Sequence, residues 1–235
     1  MNPRRRQWLN LLAGAAAVPH ATRAEDVQPR TLVFPHDHGA HLEVRTEWWY
    51  ATGWLGTEAA PTHGYQITFF RSRTGLADGN ASRFAARQLL FAHAAVTQLG
   101  TRTHGHDQRI ARWNGTAGAA GGQAAVGRGE VTLADWSLAD TGSAWRARAP
   151  GPALGLDLTL ACTQALLLQG NAGYSRKGPQ THQASHYVSE PQLAATGHLW
   201  LHGRESTGTG RAWLDHEWSD SLLVHYFELL GEKQP

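Results

Sequence analysis

Two short motifs almost a domain apart set carboxylates beside tryptophans: Thr46-Glu47-Trp48-Trp49-Tyr50 and Trp213-Leu214-Asp215-His216-Glu217-Trp218. A carboxyl group among large rings loses water, and desolvation moves its proton affinity. Such a group can transfer a proton or recognise a polar ligand. Hydrating an isolated C=C bond, for instance, requires protonation of carbon through a carbocation-like transition state. It calls for a carboxylic acid kept protonated by burial and for aromatic faces that stabilise the developing cation. Asp215, with Trp213 and Trp218 close in sequence, supplies those residue types, and Glu217, His216 and Glu47 join it as candidate proton-transfer groups. The alternative is that Asp215 and Glu217 accept hydrogen bonds from loops and brace a barrel rim. Glu47 is harder to assign to packing, because a buried carboxylate needs a partner; Arg71 is the candidate. Trp48, Trp49, Trp213 and Trp218 would contact a ligand or, for Trp48 or Trp49, plug a core.

Other groups point less clearly to chemistry. His36-x-His38-x-x-His41 and His104-x-His106 could gather imidazoles, and a strand H-x-H puts both rings on one face. No spacing matches a familiar zinc motif, so no metal and no other cofactor is expected. Tyr174-Ser175-Arg176-Lys177 pairs a serine with a lysine, but no Gly-x-Ser-x-Gly elbow occurs and the segment reads as a solvated loop. Gly170 to Gly178 lacks the lysine-serine pair of a phosphate loop. The single cysteine, Cys162, ends an apolar run and reads as a small core residue.

The elements that must hold these residues are strands. Period-2 alternation bounded by Gly, Pro, Asn and Asp predicts strands over 47–55, 64–71, 89–97, 108–113, 130–137, 144–149, 155–162, 165–169, 184–189, 194–202 and 210–217. Many short strands at even spacing make the chain all-β, a barrel or sandwich. Residues 115–129, rich in Gly and Ala, read as a long loop or weak helix. Within a strand, side chains alternate faces. Glu47 therefore shares a face with Trp49, and Asp215 with Glu217, while His216 and Trp218 lie opposite the latter pair.

The first 24 residues are set apart. Arg4-Arg5-Arg6, a short apolar run to Val18 and Thr22-Arg23-Ala24 read as a signal peptide, and Arg5-Arg6-x-Trp8-Leu9 fits the twin-arginine type. A periplasmic or secreted location is the expectation. This segment holds four of the 21 basic residues and none of the 19 acidic ones, which leaves a formal charge of −2 on the remainder and no footprint for nucleic acid. One cysteine cannot form an internal disulfide, so the core must suffice without covalent staples.

Phe34-Pro35-His36-Asp37-His38-Gly39-Ala40-His41 followed by Glu47-Trp48-Trp49-Tyr50-Ala51-Thr52-Gly53 resembles the opening of the AttH-like, carotenoid 1,2-hydratase-like secreted proteins. The likeness continues through Tyr65 to Arg71, Phe91 to Val96, Gln169 to Gly178, Ser185-His186-Tyr187 and Thr196 to Leu199, and ends at Trp213 to Trp218. It implies a calycin or lipocalin-like fold of two consecutive barrels with a ligand cavity. Residues 25–220 would form the first barrel. The tail, 221–235, has no match, and the second barrel is missing, as in a truncated product or a single-domain variant. The resemblance implies cofactor-independent action on a hydrophobic small molecule, of the hydratase or lyase kind. The apolar cavity would be rimmed by Glu47, His93, Tyr187, Asp215 and Glu217, with His186 as a further contact. The "hydrolase" label given to relatives finds little support in these residues. The alternatives are a non-catalytic carrier of lipids or small hydrophobes, in transient association with a membrane or ABC transporter, and an inactive remnant. Self-association through the surface left by the second barrel is a further expectation.

Overall fold

The computed structural model describes residues 27–82, 84–119 and 121–220. The signal-peptide reading of residues 1–24 and the unmatched tail after Asp220 lie outside the described residues. Every neighbouring strand pair is antiparallel. The strands are β1 (Thr46–Gly56), β2 (Pro61–Arg73), β3 (Gln88–Gln98), β4 (Thr103–Trp113), β5 (Gly122–Ala124), β6 (Glu130–Leu133), β7 (Trp136–Asp140), β8 (Ala144–Ala149), β9 (Leu154–Ala161), β10 (Leu167–Leu168), β11 (Tyr174–Arg176), β12 (Ala184–Leu201) and β13 (Arg204–Ser219). They form one sheet in the order β4-β3-β2-β1-β13-β12-β9-β8-β7-β6-β5, with β10 and β11 added to β12. The sheet curls until β5 comes back against β4, giving a nearly closed barrel.

Alternation decides which side chains fill it. Trp49, Ala51 and Leu55 of β1, Tyr65, Ile67 and Phe69 of β2, and Leu90, Ala92, Ala94 and Val96 of β3 all point inward and are buried. Trp113 joins them from the neighbouring β4, and Trp136, Trp145 and the leucines of β9 meet them from the opposite wall. Each buried ring or leucine removes enough apolar surface from water to contribute roughly 1.5–3 kcal/mol, and together they occupy the middle of the barrel. An expected apolar cavity is thus replaced by a packed core.

Four local readings change. The stretch 130–137 is a hairpin rather than a strand, because Ala134 takes a left-handed φ of 53° and turns the chain between β6 and β7. The segments 184–189 and 194–202 are one long strand, β12, interrupted by a bulge at Pro191-Gln192, where Gln192 has φ 54°. The 115–129 loop contains the short strand β5. Cys162 is exposed just past β9 rather than buried in the core; partial burial and the carboxylate of Glu190 push its thiol up to about 11.

Candidate functional site

Register brings the two motifs side by side. β1 pairs with β13 so that Glu47 faces Trp218, Trp48 faces Glu217, Trp49 faces His216 and Tyr50 faces Asp215. Cross-strand partners share a face of the sheet. The eleven predicted site residues therefore fall into two groups on opposite sides of one sheet. Glu47, Trp49, His186, His216 and Trp218 point inward. Trp48, His93, Tyr187, Trp213, Asp215 and Glu217 point outward, and no common cavity joins the two groups.

The inner group is a closed polar network. Glu47 is 1% exposed and His216 is fully buried. Arg71 donates from Nε to Glu47 Oε2 at 2.8 Å, as the partner that a buried carboxylate requires. Its other nitrogens donate to the carbonyls of His41 and Val44 and to Gln88 Oε1. His41 sits 2.7 Å from Glu47 Oε1 through Nδ1 and 3.2 Å from Asp37 through Nε2, and stacks on Trp218 with centroids 3.9 Å apart. His216 Nε2 lies 2.9 Å from the same Glu47 oxygen, and its ring stacks on Trp49. Burial alone would raise the Glu47 carboxyl, but Arg71, His216 and His41 hold it well below the usual carboxylate range. Burial likewise opposes charge on His41, yet Glu47 and Asp37 raise it; His216 is pushed down to about 4 by burial, despite Glu47. The network thus reads as Asp37 and Glu47 ionised, Arg71 and His41 cationic, and His216 neutral. Together with the Trp49 Nε1 bond to the His38 carbonyl and the approach of His186 Nε2 to the Gln28 carbonyl at 3.1 Å, it fastens residues 27–45 across one end of the barrel.

The donor atoms of His41, Glu47 and His216 lie within 4.8 Å of one another, close enough to surround a metal ion. The donor set does not favour one. Both imidazoles already meet one Glu47 oxygen, and the other oxygen is held by a guanidinium, whose charge repels a cation.

In the outer group Trp48, Tyr187, Trp213 and Asp215 are half-buried, His93 is exposed and Glu217 is buried. Asp215 Oδ1 accepts from Ser189 Oγ at 2.6 Å and from Trp213 Nε1 at 2.7 Å. Glu217 Oε1 accepts from Ser185 Oγ at 2.6 Å and pairs with Lys177 Nζ at 2.8 Å. The Lys177 ammonium also stands 4.5 Å over the Tyr187 ring. Burial, and then the charge of Asp215, push the Tyr187 phenol up to about 12. Trp48 completes the wall as the register partner of Glu217 on β1. His93 lies apart, three strands from Asp215 along the row Asp215–Tyr50–Thr68–His93, beside Phe70 and Phe91.

Sequence reasoning missed Ser185, Ser189 and Lys177. The signal for the serines is present: Ser185, Tyr187 and Ser189 alternate on β12 opposite Asp215 and Glu217 on β13. Lys177 gives no local signal, because its role depends on β11 folding back onto β12.

Comparison with known proteins places these features in a family. The crystal structure of a protein assigned as an AttH from Nitrosomonas europaea is 42% identical, with a TM-score of 0.70 over 84% of this chain and 58% of that one. Kievitone hydratase from Nectria haematococca is 13% identical, with a TM-score of 0.54 over 81% of this chain and 52% of its own, a likeness of fold alone. The chain spans little more than half the length of either. No curated protein matches it. The family model described as AttH-like matches residues 25–228, and the chain belongs to the AttH-like family of lipocalin-like β-barrel proteins.

Proposed function

We propose that this protein acts on a hydrophobic small molecule at the outer face of β12, β13 and β1, hydrating a C=C bond without a cofactor. The observation that carries the reading is the setting of Asp215: a half-buried, outward carboxyl with one oxygen fixed by Ser189 and Trp213 and with Tyr187 beside it. Asp215 takes up a proton on Oδ2, the oxygen that Ser189 and Trp213 do not hold, and gives it to one alkene carbon, forming a C–H bond with the π electrons and leaving a cation on the other carbon. The face of Trp48 stabilises that cation. Water then adds to it and returns a proton to the Asp215 carboxylate, so alkene and water become an alcohol. Lys177, neutralised by Glu217, adds little net charge against the cation. The fold shared with a hydratase supports the reading at the level of architecture.

Asp215→Asn tests it. Turnover of any hydrophobic alkene that the wild type accepts should fall at least ~10²-fold, the lower end of what a positioned acid contributes. Ligand affinity, read by tryptophan quenching, should change by less than about 1 kcal/mol, roughly the net worth of one hydrogen bond. Full turnover in Asp215→Asn sinks the acid assignment. A wild type that binds such ligands and turns over none of them makes the protein a carrier, consistent with service to a membrane or ABC export system.

The export reading rests on Arg5-Arg6. Arg5→Lys with Arg6→Lys should leave unprocessed precursor in the cytoplasm; normal cleavage after Ala24 in cells lacking twin-arginine machinery would overturn it.

A further inference from the structure

Beside the Asp215 group the outer face sinks into a recess of about 550 Å³ across β1 to β4, walled by Thr52, Gln66, His93, His104, His106 and Gln108. Register shows how it joins the candidate site. Trp213 faces Thr52 on β1, Thr52 faces Gln66 on β2, and Gln66 leads through Ala95 on β3 to His106 on β4. At about 4.8 Å between neighbouring strands, the far wall stands roughly 14–19 Å from Asp215 and Trp213.

The chemistry of that wall is polar and uncharged by carboxylates. The side chains of Gln66, Gln108, His93 and His106 have no hydrogen-bond partner among the described residues, while His104 uses Nδ1 on Thr97 Oγ1 at 2.8 Å. The one carboxylate on the rim, Asp107, is paired with Arg109 at 2.7 Å. Amides and imidazoles both donate and accept, which suits a hydroxyl or carbonyl group. A pure hydrocarbon would have to displace water from these groups and return nothing.

We infer that the recess is a head-group subsite, and that the ligand is an amphiphile: an alkenyl chain with its double bond at Asp215 and a neutral oxygenated head about 15 Å away. A hydrocarbon polyene is thereby disfavoured as the preferred ligand. The inference rests on the proposed function for the position of the double bond, but its test reads binding alone.

Farnesol has about the required span, and the trienyl hydrocarbon with the same carbon skeleton and no hydroxyl is its control. Affinities are measured by tryptophan quenching for the wild type and for Gln108→Leu with His106→Leu, two outward side chains of the far wall whose loss should spare the core. The wild type should prefer farnesol about tenfold, the size of one or two hydrogen bonds. The double variant should lose about tenfold for farnesol and stay within about twofold for the hydrocarbon, with an unchanged melting temperature. Equal affinity of the wild type for both probes, no binding of either, or equal losses in the variant would each overturn the subsite. An Asp215→Asn protein that keeps full turnover while still preferring farnesol refutes the acid assignment and leaves the subsite standing.

Discussion

Glu47 shows how burial and partners compete at one carboxylate. Removing it from water favours its neutral form, but a guanidinium and two imidazoles within hydrogen-bond reach reverse the outcome. A group held ionised by Arg71 is poorly suited to deliver a proton, which is why the acid we propose is the outward Asp215. The inner network instead couples stability to pH. His216 is pushed down to about 4 from 6.5, so the unfolded chain binds a proton there that the native protein refuses. Stability from this group is therefore complete above pH 6.5 and is lost as pH falls towards 4. The total is on the order of 3 kcal/mol. Glu47, depressed, adds a further loss only below its ordinary value of 4.5. His41 is raised and works in the other direction: its contribution is complete below 6.5 and fades as pH climbs through its folded value. Urea unfolding at pH 7 and pH 5 should show the wild type weaker at pH 5, and His216→Gln should reduce that difference, with His38 and His186, also lowered by burial, supplying part of the remainder. A wild-type stability that is flat or rising from pH 7 to 5 would contradict this charge assignment.

Strand pairing, rather than the motifs alone, decides what those residues can reach. The β1–β13 contact is so close that a Cβ on Gly210 would run into the Trp54 carbonyl and lie 2.8 Å from the Leu55 Cα. Gly210→Ala should then push the strands apart and lower stability by about 1–3 kcal/mol, as overpacking does. Gly79→Ala, with nothing within 4 Å, should change it by less than about 0.5 kcal/mol. Equal melting temperatures for the two variants would refute the tight register. That register also explains what could and could not be foreseen. Alternation within Glu47–Tyr50 and within Asp215–Trp218 was legible, since it is local and has period 2. Which face of one strand matches which face of the other is set by a pairing across more than 150 residues, and shifting it by one residue would reverse the match. Hence a single predicted site resolves into two. The all-β class and most strands followed from glycine punctuation and alternation. The Ala134 turn and the Gln192 bulge did not, because both use left-handed backbone at residues that carry no glycine signal.

At the scale of the molecule, the outer face is unusual for a surface exposed to water. One row across six strands reads Tyr187, Glu217, Trp48, Phe70, Phe91 and Ile110. Phe70 and Phe91 stack with centroids 4.7 Å apart, and Ile110 at the edge is 74% exposed. The two solved relatives named above are longer chains, of which this one spans 58% and 52%. Soluble monomers rarely leave contiguous apolar patches beyond a few hundred Å² uncovered, and an aromatic row beside a polar recess suits contact with a second apolar surface. A second copy of this chain is the partner we propose, meeting the Phe70, Phe91 and Ile110 end of the row through its own, so that the Trp48 and Tyr187 end stays open to ligand. Ile110→Lys sets a charge at the rim, where contact would have to desolvate it, and leaves the packed interior untouched. Sedimentation of the wild type should shift with concentration across the micromolar range, while Ile110→Lys should stay monomeric with the same melting temperature. High salt should not dissolve the wild-type association, because apolar contact is not screened as charge pairs are. A wild type that remains a sharp monomer throughout would mean that the row is covered by ligand or tolerated by solvent, and the self-association proposal would fall.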